Sequence, residues 1–220
     1  MDVLQGALNL VYLSQKRPNA STAKRGYNEE QWVASYIGNA FRINEDRRSK
    51  IDLTNGDIGI QVKKSKAGQF QQISRGTVDN LVTTLPDLEC ISNLLKERCE
   101  EKKLFNPDIL EPLNKNKRIL VEHALLGHGT KPDILCITEW DKRDTKRKKI
   151  MFASMENVVD SLMQYDFAIR KSRTVVELGP SFTIQRKGGD GGRKSANDVQ
   201  FKIVPSLLDI IYPITIPLEQ

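Results

Sequence analysis

Apolar residues along this chain follow two periods, one helical and one of strict alternation, and the changes between them mark out the elements. Residues 2–16 carry apolar positions at helical spacing, and the polar stretch RPNASTAKRG follows them. Asn28, with Gln31 three positions on, has the spacing of a capping box. Behind it Trp32, Val33, Tyr36, Ile37, Ala40 and Phe41 recur at helical period, so a second helix is predicted to start at Asn28. Residues 69–84, 87–102, 117–126 and 155–164 read as further helices. DILCITEW (133–140) and KIMFAS (149–154) read as strands, and TVVELG, SFTIQRK and DVQFKIV as the strands that close the chain. Strands interspersed with helices predict an α/β (α+β) fold, a central mixed β-sheet flanked by helices. Without a repeat or a long linker, residues 1–220 are expected to form a single domain. Its core would span about 24–165, with a C-terminal β-ribbon at about 181–204.

Residues 47–66, RRSKIDLTNGDIGIQVKKSK, hold the sharpest local signal. Asn55-Gly56 lies between two alternating segments, and both residues tolerate positive φ, which predicts a hairpin with a two-residue turn. That turn pairs Asp52 with Gly59 and Lys50 with Gln61. Since successive strand residues alternate faces, Asp52, Gln61 and Lys63 share one side. Ile51, Leu53, Ile58, Ile60 and Val62 share the other, an apolar face that must pack on a core. Gly59, opposite Asp52, would leave room for an ion.

Charge and composition narrow the chemistry. The net charge is +6 and the pI about 9.2, which favours an anionic partner. Basic clusters sit at 42–50, 63–66, 142–149 and 185–194, and the first two flank the hairpin. Cys90, Cys99 and Cys136 are odd in number and make no CxxC pair, so no disulfide framework or zinc ribbon is suggested. The two histidines, His123 and His128, lie five apart, off the zinc spacing, and read as packed side chains. The N-terminus lacks the basic lead and cleavage site of a signal peptide, and no apolar run is long enough to span a membrane; a cytoplasmic protein is expected.

The hairpin spacing fits a metal-dependent phosphodiesterase. Asp52 and the Gln61 amide oxygen could hold Mg²⁺, a hard cation that prefers oxygen ligands and keeps waters. Lys63, two residues past Gln61 and on the same face, could orient an attacking water and stabilise charge growing on the phosphate. Asp52 followed by Gln61-Val62-Lys63 resembles the hairpin active site of the PD-(D/E)xK nucleases, and of type II restriction endonucleases in particular. The departures are Gln61, where an acid is usual, and Ile51, where proline is usual. Arg25-Gly26 followed by Glu30 on a helix matches the same family, and the resemblance implies that Glu30 faces the metal site. It further implies a PD-(D/E)xK-like core, Mg²⁺ as cofactor and double-stranded DNA as substrate, cut by a homodimer at a short specific site.

A second match to the written motif, Pro132-Asp133 with Asp144 and Lys146, is set aside because Asp144 and Lys146 lie in a charged connection that fixes nothing in place. Asp133 reads as structural. For holding and reading DNA the candidates are Lys64 and Lys66 beside the hairpin, and Gln185, Arg186, Lys187, Arg193, Lys194, Ser195 and Asn197 on the ribbon, whose side chains suit phosphates and base edges. A structure-directed nuclease such as a Holliday-junction resolvase, and a non-catalytic DNA-binding protein, stand as alternatives.

Overall fold

Gly59–Lys66 (β3) is the strand on which the first sheet is organised. In the computed structural model, which describes residues 22–38, 40–46, 49–66, 71–77, 105–127, 129–143, 145–187, 198–204 and 215–217, β3 pairs antiparallel with β2 (Leu53–Thr54) and parallel with β5 (Ile134–Trp140). β1 (Arg42–Ile43) extends the sheet beyond β2, while β6 (Arg147–Ser154) and β11 (Thr215–Pro217) extend it beyond β5. The order is β1-β2-β3-β5-β6-β11, and the parallel β3–β5 pair makes the sheet mixed, as expected.

Helix α1 (Thr22–Ile37) covers one face of this sheet. Its Trp32, Val33 and Ile37 cluster with Leu53, Ile60, Val62, Ile134, Cys136, Ile150 and Phe152. The residues from β3, β5 and β6 are the even-numbered ones, which period two sends to one face. Burying Leu53 or Ile150, each 0% exposed, stabilises the fold by about 2 kcal/mol per side chain. Gln61, Lys63 and Ser65 project from the opposite face, beside Leu135 and Ile137 of β5.

The second sheet has the order β4 (Gln71–Thr77), β10 (Asp198–Ile203), β9 (Phe182–Lys187), β8 (Val175–Leu178) and β7 (Phe167–Ile169). β9 and β10 form the predicted ribbon, with Phe201 opposite Ile184 and Ile203 opposite Phe182. Phe182, Ile184, Val199, Phe201 and Ile203 are all buried. A 3-10 turn, Pro107–Ile109, leads into α2 (Leu110–Lys115) and α3 (Lys117–Leu126), and α4 (Met155–Met163) follows β6. The chain divides into two compact units. One comprises Met1–Gln71, Leu126–Val158 and Pro205–Gln220, and the other Gln72–Leu125 and Val159–Val204. No helix among the described residues is long and apolar enough to cross a membrane.

Two expectations change. The second helix starts at Thr22, so Asn28 lies inside it and caps nothing. The Ala-Lys-Arg end of the polar stretch has good helix propensity, and one glycine does not break it. Within 69–84, residues 71–77 form strand β4, because QQISRGT finds a sheet position beside β10, whose residues lie far along the chain. The predicted helices at 2–16 and 87–102 lie outside the described residues.

Candidate active site

The turn that builds the site is displaced from the position its sequence suggested. Leu53 pairs with Ile60 and Thr54 with Gly59, a register two residues away from the expected one. The reason is the Asn55 side chain. Its Oδ1 accepts the Asp57 and Ile58 N–H groups at 3.0 and 2.8 Å, and its own N–H donates to the Ile58 carbonyl. The bend therefore centres on Gly56-Asp57, with Gly56 at φ +104. A shift of two keeps every side chain on its face, whereas a shift of one would have inverted them. Asp52, Gln61 and Lys63 consequently remain on the same side. Ile51 does not join the apolar cluster: β2 begins only at Leu53, and outside the ladder the alternation fails. Instead Ile51 fills the space at Gly59, where a Cβ would come within 2.6 Å of its Cδ1. The room attributed there to an ion is occupied by a side chain.

Asp52 is held from several directions. Its N–H donates to the Ile60 carbonyl at 2.8 Å, and its own carbonyl accepts the Asn44 N–H at 2.9 Å. The Asn44 side chain donates to the Ile51 carbonyl at 3.0 Å. Asp52 Oδ2 accepts the Val62 N–H at 2.7 Å, and Lys63 Nζ lies 3.4 Å from the same oxygen and 3.0 Å from the Val62 carbonyl. The Asp52 and Lys63 side chains are each 21% exposed, within reach of a ligand. Asn44 had no sequence signal, because what it contributes is backbone bracing.

Gln61 is 1% exposed, and its Oε1 finds no hydrogen-bond partner among the described residues. A buried oxygen left unpaired costs about 1–3 kcal/mol, so it calls for an explanation. Lys50 adds a second ammonium. Burial chiefly, then the Lys63 charge, lowers its pKa from the usual 10.5 to about 8, while Asp52 acts in the opposite sense. No group of three or more His, Cys, Asp or Glu suited to a metal occurs among the described residues. Among the described residues, the Asp52 carboxylate and the orphaned Gln61 amide are two oxygens that this face offers side by side. That sparse, hard donor set fits an ion that retains much of its water, as Mg²⁺ does.

The other face of β3 is polar in a different way. Glu29, 3% exposed, accepts hydrogen bonds from Arg147 Nε at 3.0 Å and Trp140 Nε1 at 3.2 Å. The Arg147 guanidinium stacks 4.0 Å from the Trp32 ring centre, and Lys64 Nζ lies 3.8 Å over the Trp140 ring. Glu29 is therefore the buried carboxylate of α1, and Glu30, the residue expected to face the metal, is half-buried one position along. Lys64, expected at DNA, has its ammonium buried over Trp140, on the face opposite Lys63. Period two dictates this, since 64 is even. Lys66, at the end of β3, is half-buried and pairs with Trp140 in the ladder. Asp133 accepts the Gly59 N–H at 2.7 Å and ties the starts of β5 and β3 together, a structural role. Asp144 and His128 lie outside the described residues.

On the ribbon, Gln185 is half-buried and accepts a hydrogen bond from Lys202. Arg186 and Lys187 stand opposite Val199 and Asp198 in the β9–β10 ladder. Arg193, Lys194, Ser195 and Asn197 lie outside the described residues.

Residues 96–209, just over half of the chain, match the model of the R.HinP1I restriction endonuclease family. The chain belongs to that family. Its activity class is thereby a restriction endonuclease, a site-specific DNA hydrolase. The matched segment begins after the hairpin, so the R.HinP1I relationship and the geometry around Asp52 are separate observations. No curated protein matches the sequence. Among solved structures, the restriction endonuclease MspI in complex with its cognate DNA aligns with a TM-score of 0.47 at 14% identity, covering 74% of this chain and 69% of that one.

Proposed function

We propose that this restriction endonuclease hydrolyses double-stranded DNA at a short specific sequence with Mg²⁺ as cofactor, using the face of β3 that carries Asp52, Gln61 and Lys63. One observation carries the reading: the Gln61 oxygen is buried without a partner on the side of the sheet where Asp52 and Lys63 meet. Asp52 and Gln61 would hold the ion, whose contribution when bound is to acidify water and neutralise phosphate charge. Lys63, kept in place by Asp52 Oδ2 and the Val62 carbonyl, orients the attacking water and faces the charge that grows on the phosphate. Glu30 stands on α1, which packs on the opposite face of the sheet, and is given no part in this mechanism. The ribbon around residues 185–197 is assigned to DNA, with Arg186, Lys187, Arg193, Lys194, Ser195 and Asn197 as the reading and clamping side chains. Cutting both strands of a symmetric site calls for two copies of this face, so a homodimer is the working assembly.

The test is incubation of plasmid DNA with the protein and Mg²⁺. Discrete fragments that vanish on chelation and in Lys63→Ala are expected. Failure to cut any DNA with Mg²⁺ present would overturn the assignment.

A further inference from the structure

We infer that the loop joining β5 to β6 is a phosphate clamp, with Lys142, Arg143 and Lys146 gripping the DNA backbone away from the cleavage point. These three belong neither to the face of β3 that carries Asp52 nor to the ribbon, and the clamp shares with the reading above only its DNA substrate. The sequence left this connection unfixed, but Asp141 closes it at its base. The Asp141 N–H donates to the Lys146 carbonyl at 2.9 Å. Asp141 Oδ1 accepts the Thr145 and Lys146 N–H groups at 2.7 and 3.3 Å, and Oδ2 accepts the Thr145 hydroxyl at 2.8 Å. The carboxylate is thus engaged by the loop's own donors, while Lys142, Arg143 and Lys146 are exposed. Arg147, next along, is matched by Glu29. Among the described residues, none of the three loop cations is in an ion pair.

A closed loop that holds three cations at its tip suits a regular row of anions, which a duplex provides. The loop also stands where such a row would pass. β3 and β5 run parallel, with Lys63 beside Ile137. Asp141 is four residues farther along, about 13 Å at the rise of a strand. Each strand of a duplex carries a phosphate about every 3.4 Å. A duplex whose scissile phosphate meets Lys63 therefore has backbone within reach of the loop roughly four nucleotides away. Contacts of this kind fix the register and orientation of the DNA without reading its sequence. The same spacing separates Lys146 from Asp133, because the two lie beyond opposite ends of β5 (Ile134–Trp140), about 26 Å apart along the strand.

Binding is followed without Mg²⁺, so that no cleavage intervenes, by the anisotropy of a labelled linear duplex between about 50 and 200 mM salt. The variant Lys142→Gln/Arg143→Gln/Lys146→Gln takes the net charge from +6 to +3. A matched variant, Lys115→Gln/Lys131→Gln/Lys171→Gln, removes as many charges at exposed positions elsewhere. Each phosphate contact contributes about 0.9 to the slope of log affinity against log salt. The loop variant's slope is expected to fall by about 2.7, so that salt weakens it about 40-fold less than wild type over that range. The matched variant is expected to fall by less than about 1, since charges more than ~10 Å from the DNA are screened. Thermal midpoints report folding. If the loop variant does not fold, Arg143→Gln alone takes its place, with an expected fall of about 0.9. A fall of less than half the expected value, or an equal fall in the matched variant, overturns the clamp. The roles of Asp52, Gln61 and Lys63 are judged by Mg²⁺-dependent cutting in Lys63→Ala, so either reading can fail without the other.

Discussion

The two faces of strand β3 carry similar residues to opposite ends. Beneath α1, Glu29 and Arg147 form an ion pair whose side chains are 4% and 11% exposed, with Trp32, Trp140 and Lys64 stacked around it. Each charge there has a counter-charge or an aromatic face. Across the sheet, Lys63 lies 3.4 Å from Asp52 Oδ2, and Gln61 buries an oxygen with no partner among the described residues. The Glu29–Arg147 charges of the closed face are matched within it. The open face is complete only with something added. Fully satisfied polar networks stabilise a fold, whereas incomplete ones cost stability and mark the place where a ligand restores the balance.

The largest break in this contrast should come from the open face. Lys63→Ala removes the ammonium at Asp52 Oδ2, and Mg²⁺-dependent cleavage is expected to fall about 1000-fold, or ~4 kcal/mol of barrier, with the fold intact. Rates with chelated and replenished Mg²⁺, read beside a thermal melt, check this. A variant that melts early and cuts normally would move Lys63 to the structural side. The closed face should behave in reverse. Glu29→Ala strands the Arg147 guanidinium in a buried site, which is expected to cost about 3–5 kcal/mol of stability. Denaturant unfolding measures it, and cleavage per folded molecule should stay within threefold of wild type. A tenfold loss of rate at unchanged stability would show that Glu29 belongs to the chemistry.

Why one face was legible in the sequence and the other was not follows from the reach of local rules. Period two alone put Asp52, Gln61 and Lys63 together, and it survived the displaced turn because a shift of two preserves the faces. The displacement itself came from Asn55 Oδ1 replacing a backbone acceptor, a choice of one side chain that a turn dipeptide does not specify. The Glu29–Arg147 pair joins residues 118 positions apart, and no spacing rule spans that distance. Helical phase separates Glu29 from Glu30 by about 100°. Starting α1 at Thr22 rather than near Asn28 removed the cap that was meant to anchor that end. β4 was missed for a related reason: its sheet partner β10 is distant in sequence, and seven residues of mixed polarity do not distinguish strand from helix.

Two orphaned oxygens bring the comparison to its finest point. Gln61→Met keeps the side chain's length and deletes the buried amide oxygen. It is expected to stabilise the metal-free protein by about 1 kcal/mol while slowing Mg²⁺-dependent cleavage about 100-fold. Such opposition between stability and activity is the signature of a group retained for a ligand. Cleavage unaffected by Gln61→Met would remove the amide from the ion's ligands.

Thr138 supplies the control from the closed side. It is 0% exposed, opposite Lys64 in the β3–β5 ladder, and its Oγ1 also lacks a hydrogen-bond partner among the described residues. It lies on the face away from Asp52 and Lys63, so its unpaired hydroxyl is a plain cost. Thr138→Val keeps the branched shape that suits a central strand and removes that cost. Stability should rise by roughly 1 kcal/mol, with cleavage rate and Mg²⁺ dependence unchanged. The paired measurement, denaturant midpoint and single-turnover rate on the same preparations of Gln61→Met and Thr138→Val, then tests the two-face distinction directly. Both variants would gain stability, and the Gln61 variant would lose the reaction. Equal losses of activity from the two would mean that the whole of β3, rather than one side of it, is tuned to the chemistry.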